Sequence, residues 1–236
     1  MEETMIIEQP RVLVPENALD ANLILRLERY ARVCYKSEAR TGADTAAPFL
    51  KKLLERGHES VIEHEKITVL IIADRGISHE IVRHRIGSYS QESTRYCNYS
   101  KDSFGNEITV IEPFFFAGRE AYNLWEKACR AAEKSYLELL KYSSPQEARS
   151  VLPNSLKTEL VVTYNLREWR HFFRLRCSSS AHPQMRQIAI PLLLLFRKRL
   201  PVLFEDINYD QNFPGKYYAR VIITDDFFHE IGREEL

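Results

Sequence analysis

The chain has 236 residues, 44% of them hydrophobic and 28% charged, which suits one large packed unit or two small ones. Lys plus Arg and Asp plus Glu both total 33, so bulk charge gives no reason to expect binding to nucleic acid or to a membrane surface. Any anion site must therefore be local. The acidic start, Met1 to Glu8, lacks the basic residues and long apolar run of a signal peptide. Cys34, Cys97, Cys129 and Cys177 lie far apart without a CxxC pair, so reduced thiols in a cytoplasmic protein are expected.

In chain order, residues 17–36 carry Leu23, Leu25, Leu27, Tyr30 and Val33 at helical spacing. Thr45 to Arg56 reads as a second helix, with Pro48 near its start and Gly57 placed to end it. Lys66 to Ala73 is β-branched and apolar, as in a strand covered on both faces. A short helix over Ser78 to Arg85 follows, and Ser88 to Tyr99, lacking any apolar period, is expected to be a loop. Ile108 to Ile111 is a strand closed by Pro113, Ala117 to Tyr142 a long amphipathic helix, and Glu159 to Tyr164 another strand. Asn165 and Glu168 resemble a capping box opening a helix over 166–176. Residues 182–199 form a helix broken or kinked at Pro191, and its apolar run Ile188 to Phe196 is too short to span a bilayer. After a turn at Asn212 to Gly215, Ala219 to Thr224 suggests a late strand. With no repeat or linker, the expectation is one α/β (α+β) domain over 1–236, a mixed sheet with long helices and a C-terminal extension after about 204.

Chemistry concentrates in Arg83-His84-Arg85-Ile86-Gly87-Ser88-Tyr89-Ser90-Gln91-Glu92-Ser93-Thr94-Arg95-Tyr96. Three guanidiniums beside hydroxyls and an amide form the donor set that phosphates and a planar heterocycle need, because the planar Arg fork holds two oxygens and never loses its proton. A solvated basic stretch is the bland alternative for Arg-His-Arg alone. His79 and His84 are five apart, so on a helix they diverge by about 140°, and zinc catalysis is rejected; no metal is expected. In the block 165–176, Leu166, Trp169, Phe172 and Phe173 define one face whose spacing continues to Arg176. An Arg there either meets an anionic or carbonyl partner from inside, or simply favours the helix C-terminus.

The segment 83–95 resembles the signature of the flavin-dependent thymidylate synthases: Arg-His-Arg, seven residues, Ser, one residue, Arg. Gly57-His58-Glu59-Ser60 is similar to that family's Gly-His-Glu-(Ser/Thr) segment, Ala148-Arg149-Ser150-Val151-Leu152-Pro153 to its Ala-Arg-x-x-Leu-Pro, and Asn165-Leu166-Arg167 with Leu175-Arg176 to its Asn-x-Arg and Leu-Arg blocks. The resemblance implies reductive methylation of deoxyuridylate (dUMP) to thymidylate (dTMP), with methylene-tetrahydrofolate as carbon donor and NADPH-reduced FAD as hydride donor. It implies that His58, Ser60, Arg83, His84, Arg85, Gln91, Asn165, Leu166, Arg167 and His171 contact the flavin. Glu80, Arg83, Gln91, Glu92, Ser93, Thr94, Arg95, Arg149 and Arg176 would line the dUMP site, with Arg149 and Arg95 on the phosphate and Arg176 at uracil O2 and N3. Glu80 stands where many relatives carry Gln; a carboxylate there accepts from a ribose hydroxyl or uracil N3–H but repels phosphate. The family also implies a homotetramer with sites where subunits meet, and no nucleic-acid or membrane partner. The contrasting reading is a single-stranded RNA module using Arg83, Arg85 and Arg95 with Tyr89, Tyr96 and Tyr99 as stacking platforms.

Overall fold

A computed structural model describes residues 5–42, 44–99, 107–116, 118–227 and 233–234. Among them the strands are β1 (Ile6–Glu8), β2 (Arg11–Val14), β3 (Lys66–Asp74), β4 (Gly87–Gln91), β5 (Thr109–Ile111), β6 (Lys157–Asn165), β7 (Arg220–Ile223) and β8 (Arg233–Glu234). The α-helices are α1 (Asn22–Tyr35), α2 (Ala46–Glu55), α3 (Arg75–Ile81), α4 (Arg119–Leu139), α5 (Pro145–Ala148), α6 (Leu166–Arg176), α7 (Pro183–Arg199) and α8 (Pro201–Phe204). The mixed α/β class expected from sequence is present, with a two-stranded sheet β1-β5 and a six-stranded sheet of order β4-β6-β3-β2-β7-β8. The chain divides into two compact units, one of Met1–Pro10, Ile71–Arg83 and Ser90–Leu160, the other of Arg11–Leu70, His84–Tyr89 and Val161–Leu236.

In the first unit β1 and β5 pair in parallel, with Ile7 opposite Val110. Their core joins Ile108, Val110, Cys129, Tyr136, Ala148 and Leu156. The expected long helix is α4, which buries Cys129, Glu133 and Tyr136 on one face. Glu133 is tolerated there because its carboxylate accepts the Ile108 N–H at 2.9 Å. Helix α3 begins three residues earlier than expected, because Asp74 caps it by accepting the Ile77 N–H at 2.7 Å. It also ends earlier, at Ile81, so the Arg-His-Arg triplet lies beyond it.

In the second unit β2 and β7 pair in parallel, Val12 opposite Val221 and Val14 opposite Ile223. The expected late strand is therefore present, and it pairs with a strand from the first 30 residues that sequence reading did not find. Strand β3 is buried from Val69 onward, as expected for a strand covered on both faces, whereas β6 alternates buried and half-buried positions. Helix α1 starts at Asn22 rather than 17, since Ala18 and Leu23 N–H close turns on the Pro15 and Asp20 carbonyls. Gly57 does end α2, in the left-handed region at φ 74°. Helix α7 runs continuously through Pro191. The proline leaves the Gln187 carbonyl without its helical donor, and that carbonyl accepts the Ala219 N–H at 2.8 Å at the entrance to β7.

The loop expected over 88–99 is in its first part strand β4, at the edge of the six-stranded sheet. An edge strand with exposed and half-buried positions alone needs no apolar period, which is why the pattern was silent. Its Gly87 lies against the buried Tyr164 ring: a Cβ there would stand 2.4 Å from two ring carbons. Gly87→Ala is expected to cost about 1–3 kcal/mol, read as a lower denaturant midpoint with an unchanged slope; an unchanged midpoint would show that the ring yields freely.

Candidate active site

Two clusters of the sequence-selected residues form, one in each unit. In the second unit, Asn165 caps α6 by accepting the Glu168 N–H at 2.8 Å. The expected box is only half made, because the Glu168 carboxylate turns instead to His84 Nδ1, at 2.8 Å. On the other side of the ring, Arg176 Nε donates to His84 Nε2 at 3.1 Å. Because a guanidinium can only donate, Nε2 is the acceptor and the single imidazole proton sits on Nδ1, donated to Glu168. His84 and Glu168 are buried, and Arg176 is half-buried. The buried stripe of Leu166, Trp169, Phe172 and Phe173 does lead to Arg176, which meets an imidazole there.

Burial pushes the His84 imidazole below its ordinary value; the Glu168 hydrogen bond opposes this, and the Arg176 charge adds to it. A histidine kept neutral in the fold binds more protons when unfolded. Stability is thus expected to be full above the unfolded value, about 6.5, and to fall as pH drops from there toward the depressed folded value. Urea midpoints at pH 5 and 7.5 should show the fall in the wild type and a smaller one in His84→Gln; an equal fall in both would remove His84 as its source.

A pocket of about 460 Å³ lies alongside, lined by Glu59, Glu63, Ile86, Asn165, Arg167, Glu168, His171 and Arg174. His171 is exposed and meets the His84 ring edge-on at 5.4 Å. Arg167 pairs with Glu63 at 2.6 Å, and Arg174 with Glu59 at 3.1 Å. Arg85 is exposed, as is Ile86, 67% of whose surface meets solvent. His58 and Ser60 are exposed where the chain leaves α2, and His58 Nδ1 lies 3.2 Å from the Tyr35 hydroxyl. Leu166 is fully buried, with its N–H on the Glu65 carbonyl. Behind this wall Arg170, which sequence reading passed over, grips Asp206 through two bonds of 2.7 and 2.6 Å.

In the first unit a pocket of about 280 Å³ is lined by Arg75, His79, Thr94, Arg149, Ser150, Leu152, Pro153, Asn154 and Leu156. Arg149 Nη1 reaches Thr94 Oγ1 at 3.4 Å. Helix α5 sets Arg149 in place, and the Glu147 carboxylate ties its start by accepting the Ser144 N–H at 2.9 Å. Arg75 was missed by sequence reading; its Nη1 is buried without a hydrogen-bond partner, the state of a donor that awaits an anion. Gln91 donates to Ser78 Oγ at 2.9 Å and Thr158 Oγ1 at 3.1 Å, which fixes its amide. Ser93 is half-buried and its Oγ accepts the Arg95 N–H at 3.3 Å, while Arg83 and Arg95 are exposed and Glu80 half-buried. Glu92 accepts the Tyr99 hydroxyl at 2.6 Å. Tyr99 is itself buried and has no face to offer a base, which removes one platform of the RNA reading.

A family model described as thymidylate synthase complementing protein matches residues 24–202. The chain belongs to that family. Relatives named flavin-dependent thymidylate synthase include one from Geobacter sulfurreducens, 38% identical over 75% of this chain and 78% of its own length. Another, from Corynebacterium aurimucosum, is 35% identical over 83% of each chain. A third, from Mycobacterium tuberculosis, is 34% identical over 77% of this chain and 78% of its own. The span matched to the thymidylate synthase complementing family contains every site residue selected from sequence. A flavin dinucleotide fits the larger pocket by chemistry: Arg167, Arg174 and His171 give cationic and imidazole donors for a pyrophosphate, and Ile86 an exposed apolar surface for a flat ring. No helix among the described residues is long and apolar enough to cross a membrane.

Proposed function

We infer that this chain is a flavin-dependent thymidylate synthase, which converts dUMP to dTMP with methylene-tetrahydrofolate as carbon donor and NADPH as the source of reducing equivalents. The observation that carries the reading is the Arg83-His84-Arg85, seven residues, Ser93, Thr94, Arg95 segment, in a chain that two relatives of that name match over 75% and 83% of its length. When bound, FAD supplies the hydride that completes the methyl group. The chain's own residues bind and orient.

Arg149, Arg95, Ser93 and Thr94 hold the nucleotide phosphate, and Arg75 adds a donor to the same pocket. Gln91, Glu92, Glu80 and Arg83 line the ribose and base. Arg176 faces uracil O2 and N3 and stabilises the charge that builds there. His58, Ser60, Arg83, His84, Arg85, Gln91, Asn165, Leu166, Arg167 and His171 form the flavin side. Cys97, Cys129 and Cys177 are poor candidates for a nucleophile, since burial pushes their thiols up, away from thiolate. The assembly is a homotetramer with sites where subunits meet, in the cytoplasm, a reading that the family resemblance supports.

Arg149→Ala is expected to raise KM for dUMP roughly 10–100-fold with a smaller change in kcat, the pattern of lost uniform binding. An unchanged KM would remove Arg149 from the phosphate. The reading as a whole is tested by colour. Purified protein should carry flavin absorbance, whereas colourless protein that shifts RNA in a salt-dependent way would favour the RNA module instead.

A further inference from the structure

The bonds around His84 form a directed chain: the Glu168 carboxylate accepts from Nδ1, and Nε2 accepts from Arg176 Nε. We propose that Glu168 and His84 are positioning residues for Arg176. The carboxylate holds the imidazole in the Nδ1–H tautomer, so that its one lone pair faces Arg176 and fixes the plane and direction of the guanidinium. The inference rests on the reading above, in which Arg176 faces the uracil.

The geometry supports a built arrangement. The ring is wedged by Phe172 at 5.1 Å, His171 at 5.4 Å and Tyr164 at 6.0 Å, so it cannot turn without moving the aromatic core. Its backbone is tied too, since the Tyr89 hydroxyl donates to the His84 carbonyl. The backbone N–H of Glu168 is held by Asn165, which leaves the carboxylate committed to the ring. Were the proton moved to Nε2, two donors would face each other across 3.1 Å and the bond that aims Arg176 would be lost. The same happens if both nitrogens are protonated. The charged and titratable groups facing the ring are Glu168, Arg176 and His171 on α6 and Tyr164 on β6. Of these Glu168 favours the imidazolium, while Arg176 and His171 oppose it.

The test uses flavin-loaded full-length wild type, Glu168→Gln, Glu168→Leu, Arg176→Ala and the double variant Glu168→Leu/Arg176→Ala, with bound FAD, KM for dUMP and kcat measured for each. Wild type that makes no dTMP refutes the function; everything else here presumes that it does. Glu168→Leu is expected to lose about 10–100-fold in kcat, by analogy with other groups that orient a functional imidazole, with bound flavin and KM within about twofold. Glu168→Gln, whose amide oxygen can still accept from Nδ1–H, should regain most of that loss. Its low-pH limb of activity should also move to lower pH, because the carboxylate that favoured the imidazolium is gone. Since Glu168 acts through Arg176, the double variant should be no slower than Arg176→Ala alone. Losses that multiply in the double variant overturn the proposal, as does wild-type kcat in Glu168→Leu. If Glu168→Leu does not fold, Glu168→Gln decides: an unmoved low-pH limb, or loss of its bound flavin, overturns it.

Discussion

Arg176→Ala is expected to lower kcat by roughly 10²–10³-fold while leaving bound flavin in place, in line with the removal of a single charge-stabilising donor. Its charge is costly to place half-buried at the end of an apolar stripe, and the structure offsets that cost with an imidazole lone pair. By accepting from the Nε–H, such a partner fixes the direction of the guanidinium. Arg167 and Arg174 are paired to the carboxylates of Glu63 and Glu59. Arg176→Lys is expected to recover little, because an ammonium has neither the Nε–H that His84 accepts nor a plane to be fixed. Stopped turnover with retained yellow colour is the expected readout, and unchanged turnover would remove Arg176 from the mechanism.

The second large effect is on stability. Trp169 is fully buried, with ring centroids of Tyr164, Phe173, Phe172 and Phe196 between 4.8 and 5.5 Å away. Its indole N–H is satisfied by the Ile67 carbonyl at 3.0 Å, so the side chain serves both the apolar core and the end of β3. Trp169→Ala would leave a cavity and an unmatched carbonyl, at about 3–5 kcal/mol. Because α6 carries Glu168, His171 and Arg176 as well, flavin retention should fall with the denaturant midpoint. A shift below about 1 kcal/mol would mean that the aromatic cluster closes over the gap.

How far these features could be read from sequence depends on whether the controlling partner is near in the chain. Helix α6 was legible because its cap residue, apolar stripe and terminal Arg all lie within twelve positions. Strand β3 was legible because burial on both faces demands a continuous apolar run. Strand β4 was not, since an edge strand beside Tyr164 is specified by one glycine and by its neighbour. Strands β1 and β2 are three and four residues long, too short to show a period. Pro191 reads in sequence as a break or a kink, and the donor that lets the helix continue, Ala219, lies 28 positions later.

The site divides in the same way. The guanidiniums were found from residue type and spacing, which family resemblance made specific. Glu168 was seen only as a helper in a helix cap, because the imidazole that claims its carboxylate is 84 positions away. Arg75 carried no sequence signal beyond its place after a strand; its buried, partnerless Nη1 is visible only in three dimensions.

The most direct measurement is dTMP formation by the purified protein with dUMP, methylene-tetrahydrofolate, NADPH and FAD together, and again with each withheld in turn. Thymidylate should form only in the complete mixture, or without added FAD only as far as flavin already bound allows. Thymidylate made at full rate by flavin-stripped protein, or none made by flavin-loaded protein in the complete mixture, would contradict the assignment.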